Sequence, residues 1–358
     1  MFLLKHFLLL KNKFEPVQIE EARIVKLTIS DLAKMTGLAK STISGVLNNK
    51  DGFSEKTRQK VLKAAEQYGY VPNEIARGLS TKYTKTIGLV IKDITNPFYS
   101  RLTKGVQEVA GEYGYTVFLC SSFEDHRTEK EQIQAMLSRR VDGLIVAPLL
   151  EEVTFDHLFD LKAKSVPFVL LGSVPGLDNS YVEFDDYDGG RQVTEHLLER
   201  GHRSIGFAAG LPTSRASRER LRACRDVLSA RGLALRAEFT FEGAQELADG
   251  VEIGRKLIAM KERPSAFICF DDVVALGVVK AFQSEGLRIP EDMSLIGFDD
   301  IDLMIFPLTT VSIPTYEAGK ALARTLFGQI FGGPDTPPQR IVFDEKLVVR
   351  QSVRTVTN

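Results

Sequence analysis

From Thr86 onward the sequence alternates short apolar runs with amphipathic stretches, and that rhythm leaves few folds open. Thr86–Ile91, Thr116–Cys120, Gly143–Ala147 and Phe168–Leu171 are too short for helices and rich in Val, Ile and Leu, so they read as strands. A second series follows at Ser204–Ala208, Phe239–Phe241, Ala266–Phe270 and Ser294–Phe298. Helical stretches separate them: Tyr99–Tyr113, Glu129–Arg139, Tyr187–Arg200, Arg218–Arg231, Leu247–Met260 and Val274–Glu285. A helix between two strands returns the chain to the same end of the sheet, so the strands pair in parallel and helices cover both faces. Two such series predict an α/β body of two doubly wound parallel-sheet lobes with a cleft between them.

Open α/β sheets bind ligands beyond the carboxyl ends of their strands, so the residues just past each strand are the candidates. Asp93 and Asn96-Pro97-Phe98-Tyr99 follow the first run, Ser121 and Ser122 the second, and Gly172 and Ser173 the fourth. Gly210–Arg220, Asp271-Asp272 and Asp299-Asp300 hold the same place in the second series, and Asp185-Asp186 close the first. Carboxylates, hydroxyls, an arginine and two aromatics converging on one cleft suit a small polar or polyhydroxylated ligand. The competing reading is that each aspartate merely caps the helix after it.

Ahead of the body, Thr28–Asn48 reads as a helix-turn-helix. Ile29, Leu32 and Ala33 on the first helix face Ile43, Val46 and Leu47 on the second, with Gly37 in the tight turn. Lys40, Ser41, Thr42, Ser44 and Asn48 point outward and can bond phosphates or base edges. An ordinary αα-hairpin is the alternative. Ser54 caps a third helix, Glu55–Tyr68, whose Val61, Leu62, Ala65 and Tyr68 are expected to close a three-helix core. Gly69 and Pro72 stop it, and a short helix capped by Asn73 follows, too brief to be stable unless docked.

Charge separates the two parts. Lys26–Lys85 carries eleven Lys+Arg against five Asp+Glu, a net of +6, and the remainder carries 35 against 42, a net of −7. A basic head on an acidic body fits a DNA-binding module joined to a domain with another task. Cys120, Cys224 and Cys269 lack metal spacing and no secretory signal is evident, so reduced thiols in a cytoplasmic protein are expected. There is no GxGxxG after the first strand, no P-loop, no GxSxG and no HExxH, and the five histidines are scattered. No catalytic role, cofactor or metal is expected. Met1–Leu10 is apolar but far too short to span a bilayer, and Met1–Ile24 is expected to precede the native start, with Val25 read from a GTG codon.

The chain resembles the lactose-repressor/galactose-repressor (LacI/GalR) family of transcription regulators from Leu27 to about Val353. TISDLAKMTGLAKSTISGVLNN, YGYVPNEIARGLSTKYTKTIGLVI, DITNPFYSRL, RRVDGLIVAP, LLERGHRSIGF and SLIGFDDIDL carry the likeness, in order. The resemblance implies a repressor acting as a homodimer on a near-palindromic operator, with a small effector, a sugar or sugar derivative, in a periplasmic-binding-protein-like body. It implies that Glu74–Leu79 folds as a hinge helix in the minor groove, with Leu79 as a wedge at the central base step. Lys40 and Ser41 would face base edges, while Thr42, Ser44 and Asn48 would hold the backbone. Positions matching the family's effector contacts are Asp93, Phe98, Tyr99, Asp185, Arg220, Asp272 and Asp299, with Arg220 forking onto a hydroxyl pair or a carboxylate.

The expected organisation is an extension at 1–26, a helix-turn-helix headpiece at 27–72, a hinge helix and linker at 73–85, and an effector-binding core at 86–358. Within that core, one lobe takes 86–186 and 315–343 and the other 187–313 and 345–358, with chain crossings near Asp186, Pro314 and Asp344. Three departures from the family's pattern stand out. Ala39 replaces the usual capping serine, Gly45 stands where a long side chain is common, and Gly172 occupies a frequent aspartate position. A solute-binding sensor without DNA readout and a sugar-processing enzyme are the competing classes.

Overall fold

The computed structural model describes residues 27–48, 50–70, 83–149, 155–302 and 305–356. The chain divides into two compact units, Met1–Thr81 and Lys82–Asn358. The N-terminal extension, most of the expected hinge segment and Leu79 lie outside the described residues.

In the first unit, Thr28 and Asp31 open α1 (Ile29–Thr36) by a reciprocal box. Asp31 N–H donates to Thr28 Oγ1 at 3.3 Å, and Thr28 N–H donates to Asp31 Oδ2 at 3.0 Å. Gly37, at φ +67°, takes the left-handed step that ends the helix. α2 (Lys40–Leu47) begins at Ala39 with no side-chain cap, and Ser54 caps α3 (Glu55–Gln67). Leu32, Ile43, Val46, Val61 and Ala64 are the buried centre. Leu62 and Tyr68, expected in that core, are instead 49% and 41% exposed. The inward stripe of α3 runs through Val61 and Ala64, Leu62 lies about 100° round from it, and Tyr68 is the C-cap, where the helix has ended.

The second unit holds two parallel sheets. The first runs in the order β11-β5-β4-β3-β1-β2 and comprises β1 (Thr86–Ile91), β2 (Thr116–Ser121), β3 (Leu144–Val146), β4 (Phe168–Leu171), β5 (Ser180–Phe184) and β11 (Arg340–Phe343). α4 (Pro97–Glu112) and α11 (Thr315–Gly332) cover the face carrying Ile87, Leu89 and Ile91. α5 (His126–Ser138) and α6 (Asp156–Ala163) cover the face carrying Val90, Leu144 and Val146. Burial on both faces is why β1, β3 and β4 read as unbroken apolar runs rather than as alternating ones.

The second sheet runs β7-β6-β8-β9, with β6 (Ile205–Ala208), β7 (Thr240–Phe241), β8 (Ala266–Cys269) and β9 (Ser294–Ile296). α7 (Asp186–Glu199) and α8 (Arg215–Ala230) pack on one side, and α9 (Leu247–Ala259) and α10 (Asp272–Ser284) on the other. Beside it β10 (Thr310–Ser312) and β12 (Lys346–Val348) pair antiparallel. The chain leaves the first sheet after β5, returns through Pro314 into α11, and leaves again between β11 and β12. Cys224 and Cys269 are buried, Cys120 is half-buried, and all three are free thiols.

Candidate ligand cleft and nucleic-acid interface

On α2, Lys40, Ser44, Asn48 and Ser41 fall within an arc of about 100° at helical spacing, opposite the buried Ile43 and Val46. Lys40, Ser41 and Asn48 are exposed and Ser44 is half-buried, with Asn48 Nδ2 donating to Ser44 Oγ at 3.3 Å. Thr42 is half-buried on the flank, away from that arc. Gly45 has a structural explanation that its sequence context hides. It is buried, and a Cβ there would stand 2.4 Å from Phe53 Cζ. The Phe53 ring fills the space that a longer side chain at position 45 would cross.

In the second unit the carboxyl ends of both sheets face one cavity of about 160 Å³. That is large against the roughly 10–15 Å³ that one water needs. Asp93, Phe98, Tyr99, Arg220 and Asp299 line it, as their places after the strands imply. Asp93 is held by accepting from Thr95 N–H at 2.8 Å and Thr95 Oγ1–H at 2.6 Å. Phe98 packs edge-on to Tyr99 and Phe184, with centroids 5.0 and 5.9 Å apart. Gly172 also lines the cavity, at φ +99° with open space where a Cβ would stand.

Two expected contacts are corrected. Asp185 does not line the cavity: it is the N-cap of α7, accepting from Asp188 N–H at 3.0 Å. Its neighbour Asp186 lines the cavity in its place. Asp272 is buried behind the wall, accepting from Thr310 Oγ1–H at 2.7 Å and Ile301 N–H at 3.1 Å. Asp271 takes the lining position while also capping α10 through Val274 N–H at 2.8 Å. The capping reading of the aspartates therefore holds for Asp185 and is half true of Asp271.

Arg220 is 3% exposed and already has partners. Its Nη1 donates to Phe270 O at 2.7 Å, and its guanidinium lies over the Phe298 ring at 4.3 Å. Its Nη2 stands 2.8 Å from Asp186 Oδ1 and 3.5 Å from Glu345 Oε1. The Asp186 approach is a charge contact, since Asp186 Oδ1 accepts no aligned hydrogen bond. Burial alone would favour losing the Arg220 proton, but the charges of Asp186 and Glu345 outweigh it and raise the pKa. Burial raises the carboxyls around it: Asp271 to about 8, with Asp299 adding to the push, and Asp299 to about 6 against the pull of Arg220. Glu345 is 2% exposed and escapes the sequence reading, because no strand end or motif marks it.

Polar ties join the lobes across the cleft mouth. Arg215 Nη1 on α8 meets Glu183 Oε2 on β5 at 3.0 Å, and Asn96 Nδ2 reaches Asp271 Oδ2 at 3.5 Å. Arg101 on α4 forks onto Asp302. Six carboxyl side chains line the cavity (Asp93, Glu124, Glu183, Asp186, Asp271 and Asp299) against three basic ones, Lys92, Arg215 and Arg220. Two of the three basic groups are taken by Glu183 and Asp186, so the cavity offers hydrogen-bond acceptors and little free positive charge. No group of three or more His, Cys, Asp or Glu among the described residues is placed to hold a metal ion.

Comparison with known proteins places both units. Residues 28–73 match the model for bacterial regulatory proteins of the lacI family, and residues 194–353 match a periplasmic binding protein-like domain. The chain is 33% identical to the HTH-type transcriptional repressor PurR of Photobacterium profundum, over 91% of this chain and 98% of that protein. It is likewise 33% identical to PurR of Vibrio cholerae serotype O1, over 92% and 99%. Among solved structures, the lac repressor dimer bound to operator and the anti-inducer ONPF superposes with a TM-score of 0.79 at 26% identity, covering 92% of this chain and 99% of that one. A CelR-cellobiose complex gives 0.68 at 30% identity, covering 91% and 99%. A lacI-family regulator from Enterococcus faecium with bound ribose gives 0.67 at 26%, covering 76% and 100%.

Proposed function

This chain belongs to the LacI family of DNA-binding transcriptional repressors, and we propose that it binds its operator as a homodimer under the control of a neutral, polyhydroxylated effector in the cleft. The lac repressor relative is a dimer on operator, and the other relatives are named as transcriptional repressors or regulators rather than enzymes, which supports a non-enzymatic role. A repressor working on operator DNA acts in the cytoplasm. No described helix is long and apolar enough to cross a membrane.

Lys40 and Ser41 face base edges from the α2 arc, and Ser44 and Asn48 on that arc hold the backbone together with Thr42 on its flank. The missing cap at Ala39 leaves the first N–H groups of α2 open to a phosphate oxygen at the positive end of the helix. Leu79 supplies the minor-groove wedge by its match to the family pattern. Lys40→Ala is expected to relax preference at one base position, at about 1–3 kcal/mol of discrimination. Selection of bound sites from random DNA checks this, and an unchanged preference at every position removes Lys40 from direct readout.

The cavity's charge carries the effector reading. Carboxylates accept from hydroxyls without a counter-charge, whereas an anionic ligand would meet unmatched negative charge even with Asp271 protonated, since five other acids line the cavity against three basic groups. Asp93, Asp271 and Asp299 would accept from ligand hydroxyls, and Phe98 and Tyr99 would wall a ring face. Cellobiose and ribose, bound by two relatives, are the first ligands to titrate. Calorimetry against neutral sugars and their phosphate esters is expected to show binding among the neutral compounds alone. A phosphate ester that binds more tightly than its parent sugar overturns this assignment.

A further inference from the structure

We propose that Glu345, outside the cavity, is the positioning residue that couples the cleft to the lobe junctions. It closes a staple of Arg220, Asp186 and Glu345 that ties two of the three chain crossings together. This rests on the regulator reading above and names the device by which that site is coupled to lobe movement.

Asp186 opens α7 directly after β5, and Glu345 lies between β11 and β12, so each marks a point where the chain passes from one lobe to the other. Arg220 on α8 reaches both, at 2.8 Å and 3.5 Å. Gln192 fixes the Glu345 backbone beside α7: its Nε2 donates to Glu345 O at 2.9 Å, and Leu347 N–H donates to its Oε1 at 3.0 Å. Asp186 Oδ1 and Glu345 Oε2 are buried and find no hydrogen-bond donor among the described residues. The two carboxyl groups meet at one nitrogen, Arg220 Nη2, and two buried acids sharing a single cation favour a proton on one of them. With that proton on Glu345, its hydroxyl donates to Asp186 and the pair is satisfied.

The groups facing Glu345 are Arg220 from α8, Asp186 from α7, and Asp299 from the turn after β9, with Arg215 acting further off on Asp186. Gly189 and Phe298 beside it carry no charge. One guanidinium thus faces three buried acids, which cannot all ionise cheaply. Burial pushes Glu345 up to about 8 while Arg220 opposes the shift, so the proton stays at neutral pH and leaves on the alkaline side. Arg220, Asp186 and Asp299 also line the cavity. Ligand hydroxyls that donate to Asp186 or Asp299 favour the ionised form of that acid, which changes the field facing Glu345 and with it the strength of the tie between the crossings.

The test uses the full chain in a Cys120→Ala background, spin-labelled through Glu131→Cys on α5 and Glu252→Cys on α9, both exposed, and mixed with excess unlabelled chain so that a dimer carries one labelled copy. Interlobe distances are measured by pulsed electron spin resonance at pH 6 and pH 9. The wild type is expected to show one narrow distance at pH 6, and about a tenfold rise in the open-to-closed ratio at pH 9. Glu345→Ala should be broadened at both pH values. Glu345→Gln, whose amide donates to Asp186 as the acid does, should stay narrow at both and keeps the test alive if the alanine variant folds poorly. Coincident distributions in wild type and Glu345→Ala overturn the proposal, as does a Glu345→Gln protein that follows pH like the wild type. Operator binding on the same samples separates the two readings. A wild type that binds no operator refutes the regulator, while the distances still decide on Glu345.

Discussion

Arg220→Ala is expected to lower the unfolding free energy of the effector-binding unit by about 3–5 kcal/mol, the range for removing one partner of a buried ion pair. The side chain is 3% exposed and its loss strips four neighbours at once. Phe270 O loses its donor, Phe298 loses the cation over its ring, and Asp186 and Glu345 lose their shared counter-charge. The stranded carboxyls can recover part of the loss by taking protons. The destabilisation should therefore be smaller at pH 6 than at pH 8, because burial already raises Asp299 to about 6 and Glu345 to about 8. Urea unfolding of the full chain at the two pH values measures it. A loss under about 1 kcal/mol, the size expected of an exposed pair, would contradict the structural role given to this arginine. From sequence alone Arg220 is a fork waiting for a ligand, whose removal would silence the effector response and nothing else. Its existing partners make it a structural centre as well.

Gly190→Ala tests the same centre from the opposite helix. A Cβ at Gly190 would stand 2.7 Å from Arg220 O, 2.8 Å from Arg220 Cα and 2.9 Å from Ala223 Cβ. Two of these are backbone atoms of α8, so no rotamer change relieves them and the helices must separate. The cost is expected at about 3 kcal/mol, the upper part of the usual range for overpacking, and Arg220 should shift with α8. Gly328→Ala on α11 is the control, since a Cβ there meets nothing within 4 Å. It should gain up to about 1 kcal/mol from helix propensity. Equal melting shifts for the two variants would dismiss the close approach of α7 and α8 as a constraint.

Most of the architecture is legible in the sequence because strands buried on two faces cannot hide their apolar runs. Thr86–Ile91 and Phe168–Leu171 are read with their observed ends. What escapes is the half-buried and the very short. β5 alternates buried and half-buried positions, β11 is half exposed, and β10 and β12 have three residues each. At the site, five of seven expected effector positions line the cavity, and the two misses share a cause. Asp185-Asp186 and Asp271-Asp272 are adjacent carboxylates at helix starts, where a difference of one residue moves a side chain by about 100°. Sequence spacing cannot say which of each pair turns inward. Glu345 is invisible for a different reason: Arg220, its ion-pair partner, lies 125 positions away along the chain.

The Phe53 ring lying on Gly45 bears on how this reading head could change its target. A side chain cannot be lengthened at position 45 while the ring stands 2.4 Å from the place its Cβ would take. A larger residue at position 45 therefore needs the Phe53 ring to swing aside. Substitution at the exposed Lys40, Ser41 and Asn48 meets no such obstruction.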